Sequence, residues 1–174
     1  MLFGFEGRIR RHDWWLWSIV TGVAFAALYF AIGAALFGAA WVGSETGGPP
    51  IDSTWPSAAY GIVSFMPQLW VQAALAAKRT HDRNRGALVA VGLTVVGSLI
   101  TFAPVLAELS TDYALSLSLY DTLSNGALLT SGVIGLYLLV ALGIMDGTQG
   151  PNRFGLSPKG IGGLGPDQSA DVFS

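Results

Sequence analysis

Four long stretches of this chain contain no charged residue, and they constrain its fold more than any other feature. The stretches cover residues 14–44, 53–77, 87–107 and 122–145. A bilayer core about 30 Å thick needs roughly 20 apolar helical residues to cross it, and each stretch supplies enough of them. The pattern therefore predicts a helical membrane protein.

The composition excludes the common alternatives. Of the 174 residues, 52% are hydrophobic and 11% are charged, whereas an ordinary soluble domain carries about 25% charged residues. A chain this short has too much surface for its volume to bury so many apolar residues in water. It has no cysteine, which removes a disulfide scaffold.

The predicted fold is an all-α membrane protein with four transmembrane helices in one bundle. The spans are expected at about residues 15–42, 57–77, 87–107 and 124–145. They form a single domain of residues 1–158, which a flexible cytoplasmic tail of residues 159–174 follows. Residues 108–125 fit an interfacial helix better than a strand, because an open strand edge near lipid leaves backbone groups unpaired.

The charges predict an orientation. All nine Lys and Arg residues precede the first stretch, separate the second from the third, or follow the fourth. The other two loops carry five acidic residues and no basic one. Since basic residues favour the cytoplasmic side, both termini are predicted to be cytoplasmic. The inner face then has nine positive and six negative charges, and the outer face has five negative ones.

The predicted spans contain no Asp, Glu, Lys, Arg or His. Ion- and proton-coupled transporters usually keep such residues in the membrane, and the chain lacks the common nucleophile, zinc-protease and phosphate-loop motifs. We therefore expect no enzymatic activity, no cofactor and no metal. A metal site built from His12-Asp13 and His81-Asp82 is disfavoured, because the neighbouring arginines repel cations.

Two glutamines stand out in the second predicted span. Gln68 and Gln72 lie one helical turn apart on the same face, directly after Pro67. Hydrogen bonding between helices is the ordinary role of such residues. The alternative is a polar path, which would make the protein a small-solute channel or transporter.

Small residues recur at steps of four in the first and last stretches, at Ala27, Ala31, Ala35 and Ala39 and at Ala127, Ser131 and Gly135. Helices in lipid associate by close packing, so small residues mark their contact faces. These faces are expected to pack against helices of the same chain or of a partner subunit.

Three basic segments, residues 5–15, 78–86 and 147–155, all fall on the predicted cytoplasmic side. Arginine binds phosphate and carboxylate groups through two parallel hydrogen bonds. We expect one contiguous face that binds anionic lipid headgroups or a partner protein, including a second copy, but not nucleic acid. The simpler alternative is that the arginines only set the topology and cap helices. The candidate binding residues are Arg8, Arg11, Arg79, His81, Asp82, Arg83, Asn152 and Arg153.

From about residue 3 to residue 158 the chain resembles the small bacterial inner-membrane proteins called domain of unknown function 805. That family shows F-x-G-R-x-x-R before the first helix, R-x-H-D after the second and G-x-x-G-P-N-R-[FY]-G after the last. The matching residues are Phe5, Gly7, Arg8, Arg11, Trp15, Arg79, His81, Asp82, Arg83, Gly86, Gly147, Gly150, Pro151, Asn152, Arg153, Phe154 and Gly155.

The resemblance implies location in the bacterial inner (plasma) membrane and the four-helix architecture, but no reaction. Lys78 stands where family members often have Arg, and Ala87 stands where they often have an aromatic residue. We therefore expect an integral inner-membrane protein with a structural or accessory role.

Overall fold

The computed structural model describes residues 3–37, 54–110 and 116–160 of the chain. Within these ranges the regular structure is helical, apart from one isolated bridge between Asn152 and Gly155. The predicted all-α class is thus confirmed for the described residues. The helices are α1 (Arg11–Phe37), α2 (Thr54–Asp82), α3 (Leu88–Ser110) and α4 (Leu117–Leu138), and a π-helical segment (Leu139–Ile144) follows α4 directly.

Three of the described helical stretches are long and apolar enough to cross a membrane: Arg11–Leu36, Leu88–Ala107 and Leu117–Ile144. At most 17% of the most apolar part of each is buried inside the chain. Exposure of so much apolar surface to water is unfavourable, because such surface is more stable in an apolar environment. These faces indicate a membrane protein.

The helix α2 is less apolar than the other three. It contains Pro67, Gln68 and Gln72, and its last turn carries basic residues. These residues lower its mean hydropathy, and α2 is not among the three stretches named above. The second membrane span therefore stays a prediction.

The helices pack in the order of the chain. Each of α1, α2 and α3 contacts the next helix, and the π-helical segment also contacts α1 and α2. The α-helical part of α4, in contrast, makes no close backbone approach to α2 within the described ranges. The helices thus converge at the π-helical segment, and α2 and α4 diverge from there along the two sides of α3.

The most buried part of the described structure is the end of α2. Every residue from 73 to 80 is less than 9% exposed. Ala76, Ala90 and Leu142 form a core cluster there, and Trp14 and Leu138 pack against it. The alanines of α2 allow neighbouring helices to approach closely, as small residues do in membrane helices.

The helix α4 begins earlier than predicted. Residues 117–125 form its first turns, so the prediction that they belong to a separate interfacial helix is wrong. The apolar helical periodicity of this region continues into the uncharged stretch without a break. Residues 38–53, 111–115 and 161–174, which include most of the predicted tail, lie outside the described residues.

The predicted packing of the α1 alanines within this chain is not observed. Ala27, Ala31 and Ala35 are exposed, and Ala39 lies outside the described residues. The helix α1 instead contacts α2 through the stacked rings of Tyr29 and Tyr60, whose centroids are 5.2 Å apart. A pair of rings buries more area than small side chains do.

Gly143 in the π-helical segment provides a test of this packing. A Cβ atom there would lie 2.9 Å from Cζ2 of Trp15 and 3.0 Å from Cζ3 of Trp14. We expect Gly143→Ala to lower the free energy of unfolding by about 1–3 kcal/mol, because overpacking displaces the rings. The measurement is thermal unfolding in detergent, followed by tryptophan fluorescence.

The matched control is Gly135→Ala on α4, where an added Cβ would meet no atom within 4 Å. Its unfolding temperature should stay the same or rise slightly, because alanine favours the helical backbone. Equal midpoints for the two variants would contradict the packing of Trp14 and Trp15 on Gly143.

Candidate functional site

The three basic segments meet at the end of the bundle where the π-helical segment lies. Arg8 of the first segment forms hydrogen bonds to Asp82 of the second and to Thr148 of the third. We call residues 5–15, 78–86 and 147–155 together the motif cap. The structure thus brings together residues that are up to 147 positions apart in the chain.

A buried carboxylate lies at the centre of the motif cap. Oδ1 of Asp82 accepts hydrogen bonds from Nη2 of Arg8 at 3.0 Å and from Nε of Arg8 at 3.2 Å, and its Oδ2 accepts one from Nη1 of Arg79. The side chains of Arg8, Arg79 and Asp82 are 2%, 1% and 6% exposed. Burial lowers the pKa of Arg79, and the charge of Asp82 opposes this shift.

The remaining N–H groups of Arg8 hold the third segment. Its Nη1 donates to the carbonyl oxygens of Gly150 at 2.8 Å and Gly155 at 3.1 Å, and its Nη2 donates to that of Thr148 at 2.8 Å. All three nitrogens of the guanidinium therefore have partners inside the chain. Arg8 has no free donor for an external anion.

Three of the other arginines, Arg11, Arg79 and Arg83, bind backbone carbonyls at the end of the π-helical segment. The carbonyls of residues 141–145 accept no backbone N–H from the described residues, as expected at a helix C-terminus, and a bare carbonyl is costly near lipid. Each one accepts a side-chain donor instead. The pairs are Arg83 Nη1 with Ala141 (2.7 Å), Arg79 Nε with Leu142 (2.7 Å), Trp15 Nε1 with Gly143 (3.1 Å), Arg11 Nη1 with Ile144 (3.0 Å) and Arg79 Nη2 with Met145 (2.5 Å).

The third segment caps α2 in turn. The carbonyl of Asp82 accepts hydrogen bonds from the backbone N–H of Thr148 at 2.7 Å and from its hydroxyl at 2.8 Å. The carbonyl of His81 accepts one from Nδ2 of Asn152 at 2.9 Å. The first and second segments therefore cap the last helix, and the third segment caps α2.

A tight turn shapes the third segment. Asn152 and Gly155 exchange two backbone hydrogen bonds of 3.0 Å, and Oδ1 of Asn152 accepts the N–H of Phe154 at 2.9 Å. Gly155 has a φ of +127°, which favours glycine. The turn places the Phe154 ring parallel to His81, with centroids 3.9 Å apart.

Gly147 fits beside the buried carboxylate because it has no side chain. A Cβ atom at this position would lie 1.7 Å from Oδ2 of Asp82. No other residue fits this place while Asp82 keeps its two arginine partners. The family resemblance contained Gly147 without giving it a role, and the structure supplies one.

Five basic residues are exposed at this end of the bundle. Arg153 lies 4.6 Å above the Phe154 ring and donates a long hydrogen bond of 3.4 Å to the carbonyl of Asn84. Arg11 forms an exposed ion pair with Asp146 at 3.2 Å in addition to its bond to Ile144. We call the other four exposed residues the basic rim; they are Arg10, Arg85, Arg153 and Lys159.

The two histidines, which with Asp13 and Asp82 would form the disfavoured metal site, have different partners in the structure. Nδ1 of His12 lies 3.3 Å from its neighbour Asp13, and its side chain is 85% exposed. His81 shares a hydrogen bond of 3.2 Å with the carbonyl of Gly7. In the described ranges, no group of three or more His, Asp or Glu side chains is placed to hold a metal ion.

Gln68 and Gln72 lie on α2, outside the motif cap. Both line a groove of about 530 Å³ between α2, α3 and α4. Neither side-chain amide forms a hydrogen bond with another residue of the described structure. They therefore do not join helices to each other, which was their ordinary predicted role.

Sequence reasoning missed the role of Thr148 and that of the N-terminal residues. Thr148 binds a backbone carbonyl, which leaves no trace in the sequence. Phe5 packs edge-on against Trp70 of α2 with centroids 5.1 Å apart, and Nε1 of Trp70 donates to the carbonyl of Phe3 at 3.0 Å. The first motif thus also anchors the N-terminal segment along α2.

The buried carboxylate predicts a large effect of its neutralisation. Asp82→Asn leaves Arg8 and Arg79 buried without a negative partner, so we expect the free energy of unfolding to fall by about 3–5 kcal/mol. Asp146→Asn is the matched control, because its pair with Arg11 is 73% exposed on the aspartate side and such pairs contribute about 0–1 kcal/mol. Chemical denaturation in detergent measures both, and equal losses would contradict the central role of Asp82.

The similarity of this chain to known proteins covers the whole motif cap. A family model described as "Protein of unknown function (DUF805)" matches residues 2–156, which include all three segments of the cap. "Uncharacterized protein YiiR" from Escherichia coli strain K12 and that from strain O157:H7 are each 30% identical to the chain over 160 residues, or 92% of this chain and 89% of theirs. No solved structure is significantly similar to it. On this match the chain belongs to the DUF805 family.

Proposed function

We propose that this protein is an integral protein of the bacterial inner membrane, with four spans and both termini in the cytoplasm. Its role is structural or accessory, without catalytic activity of its own, and its basic rim binds anionic lipid headgroups. One observation carries the proposal. The motif cap uses Arg8 and Arg79 internally, whereas the arginines of the rim remain exposed.

The contacts in the motif cap support this topology. Because Arg8, Asp82 and Thr148 touch, the segments before α1, after α2 and after the π-helical segment share one end of the bundle. A chain that leaves this end through α1 has to return to it through α2. The nine Lys and Arg residues all lie in or beside these segments, which favours the cytoplasm for this end.

Reporter fusions test the topology. We expect alkaline phosphatase to be active when it is fused after Gly48, which lies outside the described residues, and inactive when it is fused after Asn84. Green fluorescent protein should give the opposite result, because it folds in the cytoplasm. Two fusions that report the same side would show that α2 does not cross the membrane, and reversed signals would overturn the orientation.

The exposed arginines support lipid binding. The guanidinium of Arg85 forms no hydrogen bond with the part of the chain that the structure describes, and the bond of Arg153 to Asn84 is long. Cationic side chains at a membrane surface attract anionic headgroups by about 1 kcal/mol each. Both residues can thus turn toward a phosphate without losing a strong internal contact.

A double substitution tests the rim. We expect Arg85→Gln with Arg153→Gln to weaken binding of phosphatidylglycerol about 30-fold, because two attractions of about 1 kcal/mol are lost. Native mass spectrometry of the protein in nanodiscs with increasing phosphatidylglycerol content measures this. The control, Arg85→Lys with Arg153→Lys, keeps both charges and should bind nearly as well as the natural chain.

Unchanged lipid binding in the glutamine variant would refute this role of the rim. If the same variant instead releases a protein that copurifies in mild detergent, the rim serves a partner protein. The unfolding temperature of each variant shows that the fold is intact, which is expected because neither side chain is buried.

A small-solute channel or transporter is the second candidate function. The groove beside Gln68 and Gln72 favours it. The end of the groove next to the motif cap, however, is lined by Ala76 and Leu142 of the buried core cluster and by Trp14, which packs against that cluster. Passage of a solute would require this cluster to open, and we therefore place this function second.

A further inference from the structure

We propose that the groove between α2 and α4 binds a neutral amphiphile that enters sideways from the lipid bilayer. The ligand has one hydrocarbon chain and carries carbonyl and hydroxyl groups, as a monoacylglycerol does. The inference does not depend on the basic rim. It concerns the same groove as the second candidate function but assigns it a lipid ligand instead of a dissolved solute.

The divergence of α2 from α4 creates the groove. Within the described ranges, α2 approaches the last helix only at its π-helical segment, and α3 forms the floor between them. Along α2 the lining runs from Phe65 to Ala76, which is about 16 Å at 1.5 Å per residue. The shape is therefore long and narrow, and its volume of about 530 Å³ lies in the range of ligand sites.

The two glutamines give the groove its hydrogen-bonding capacity. Gln68 and Gln72 are half-buried and line it one turn apart. Their amides have no hydrogen-bonding partner in the described ranges, although an unsatisfied polar group in hydrocarbon is costly. A ligand that brings a carbonyl oxygen would accept hydrogen bonds from the amide NH₂ groups.

Hydroxyl groups on α3 complete the polar surface. The hydroxyls of Thr94, Ser98 and Thr101 line the groove, and each donates its proton to a carbonyl of α3 at 2.7–3.0 Å. Their oxygens therefore remain available only as acceptors. A ligand hydroxyl would donate to them, so the groove suits a molecule that has both an acceptor and a donor.

The lining predicts the charge of the ligand. None of the side chains that line the groove is ionisable. A charged headgroup would have no counterion there, and its transfer from water would be unfavourable. The ligand is therefore neutral, unlike the phospholipid headgroups proposed for the basic rim.

The opening of the groove predicts the route of entry. Leu128 and Leu139 line it and are also 70% and 39% exposed on the surface of the helical bundle. Toward the motif cap it is lined by Ala76 and Leu142 of the core cluster, which are 1% and 3% exposed. A molecule dissolved in the bilayer reaches Gln72 from the side, whereas a solute from water would have to cross the core cluster.

Photolabelling tests the proposal with a monoacylglycerol that carries a diazirine in its chain. The full-length protein is labelled in nanodiscs, labelled peptides are mapped by mass spectrometry, and unlabelled monoolein competes. We expect saturable labelling of the groove peptides of α3 and α4. The combination of Gln68→Leu and Gln72→Leu should raise the competing concentration of monoolein about tenfold, because two hydrogen bonds within the membrane are lost.

Two further variants separate binding from folding. Gly135 lines the groove with open space in front of it, so Gly135→Leu should fill the groove and abolish the saturable labelling. Val133 is 69% exposed and does not line the groove, so Val133→Leu should label like the natural chain. The variant with Arg85→Gln and Arg153→Gln should also label normally, which separates this inference from the rim.

Three results would overturn the proposal. Equal competition by monoolein in the natural chain and in the variant with Gln68→Leu and Gln72→Leu would show that the amides do not bind the ligand. The chain has no native cysteine, so a disulfide-linked dimer formed by Ser131→Cys would show a second copy in the groove. Protein-dependent glycerol flux into proteoliposomes that Gly135→Leu blocks would show an aqueous path.

Discussion

The ion pairs of Asp82 with Arg8 and Arg79 are the interaction on which the rest of this structure depends. They join the N-terminal segment, the end of α2 and, through Arg8, the segment that follows the last helix. A single carboxylate faces two guanidiniums in a buried place, so the remaining N–H groups of the two arginines need the surrounding carbonyls as hydrogen-bond acceptors. Those carbonyls belong to the π-helical segment and to the third segment. Charge neutralisation and helix capping are therefore one network.

Arginine is suited to this network because one side chain reaches several acceptors at once. Arg79 spans an aspartate and two carbonyls of the last helix, which a lysine ammonium cannot match in geometry. The positive charges also lie at the C-terminal ends of α2 and α4, where helix dipoles favour them. Arg8, Arg79 and Arg83 thus have a structural function inside the protein, whereas the side chains of the basic rim are exposed to its surroundings.

The sequence predicted the helices well and the partners of the arginines poorly. Helix length and apolarity are local properties, so the four uncharged stretches indicated the helices and the basic segments indicated the shared end. Arg79, in contrast, donates hydrogen bonds to backbone carbonyls. Every residue has such a carbonyl, so the sequence does not indicate which ones Arg79 binds. The shared face of Gln68 and Gln72 followed from their spacing, but whether they pair depends on how far α2 and α4 diverge. The exposure of Ala27 also depends on tertiary packing, because aromatic rings elsewhere on α1 make its contact with α2.

The order of synthesis gives the motif cap a further meaning. Arg8, Arg79 and Asp82 leave the ribosome long before Thr148 and Gly150, which supply the last acceptors of Arg8. Until then Arg8 lacks its three carbonyl acceptors, and the carbonyls of α2 lack their partners from the third segment. The motif cap is therefore completed only after the third segment, residues 147–155, has been synthesised. A chain that ended before this segment would leave the donors of Arg8 and the last carbonyls of α2 without these partners.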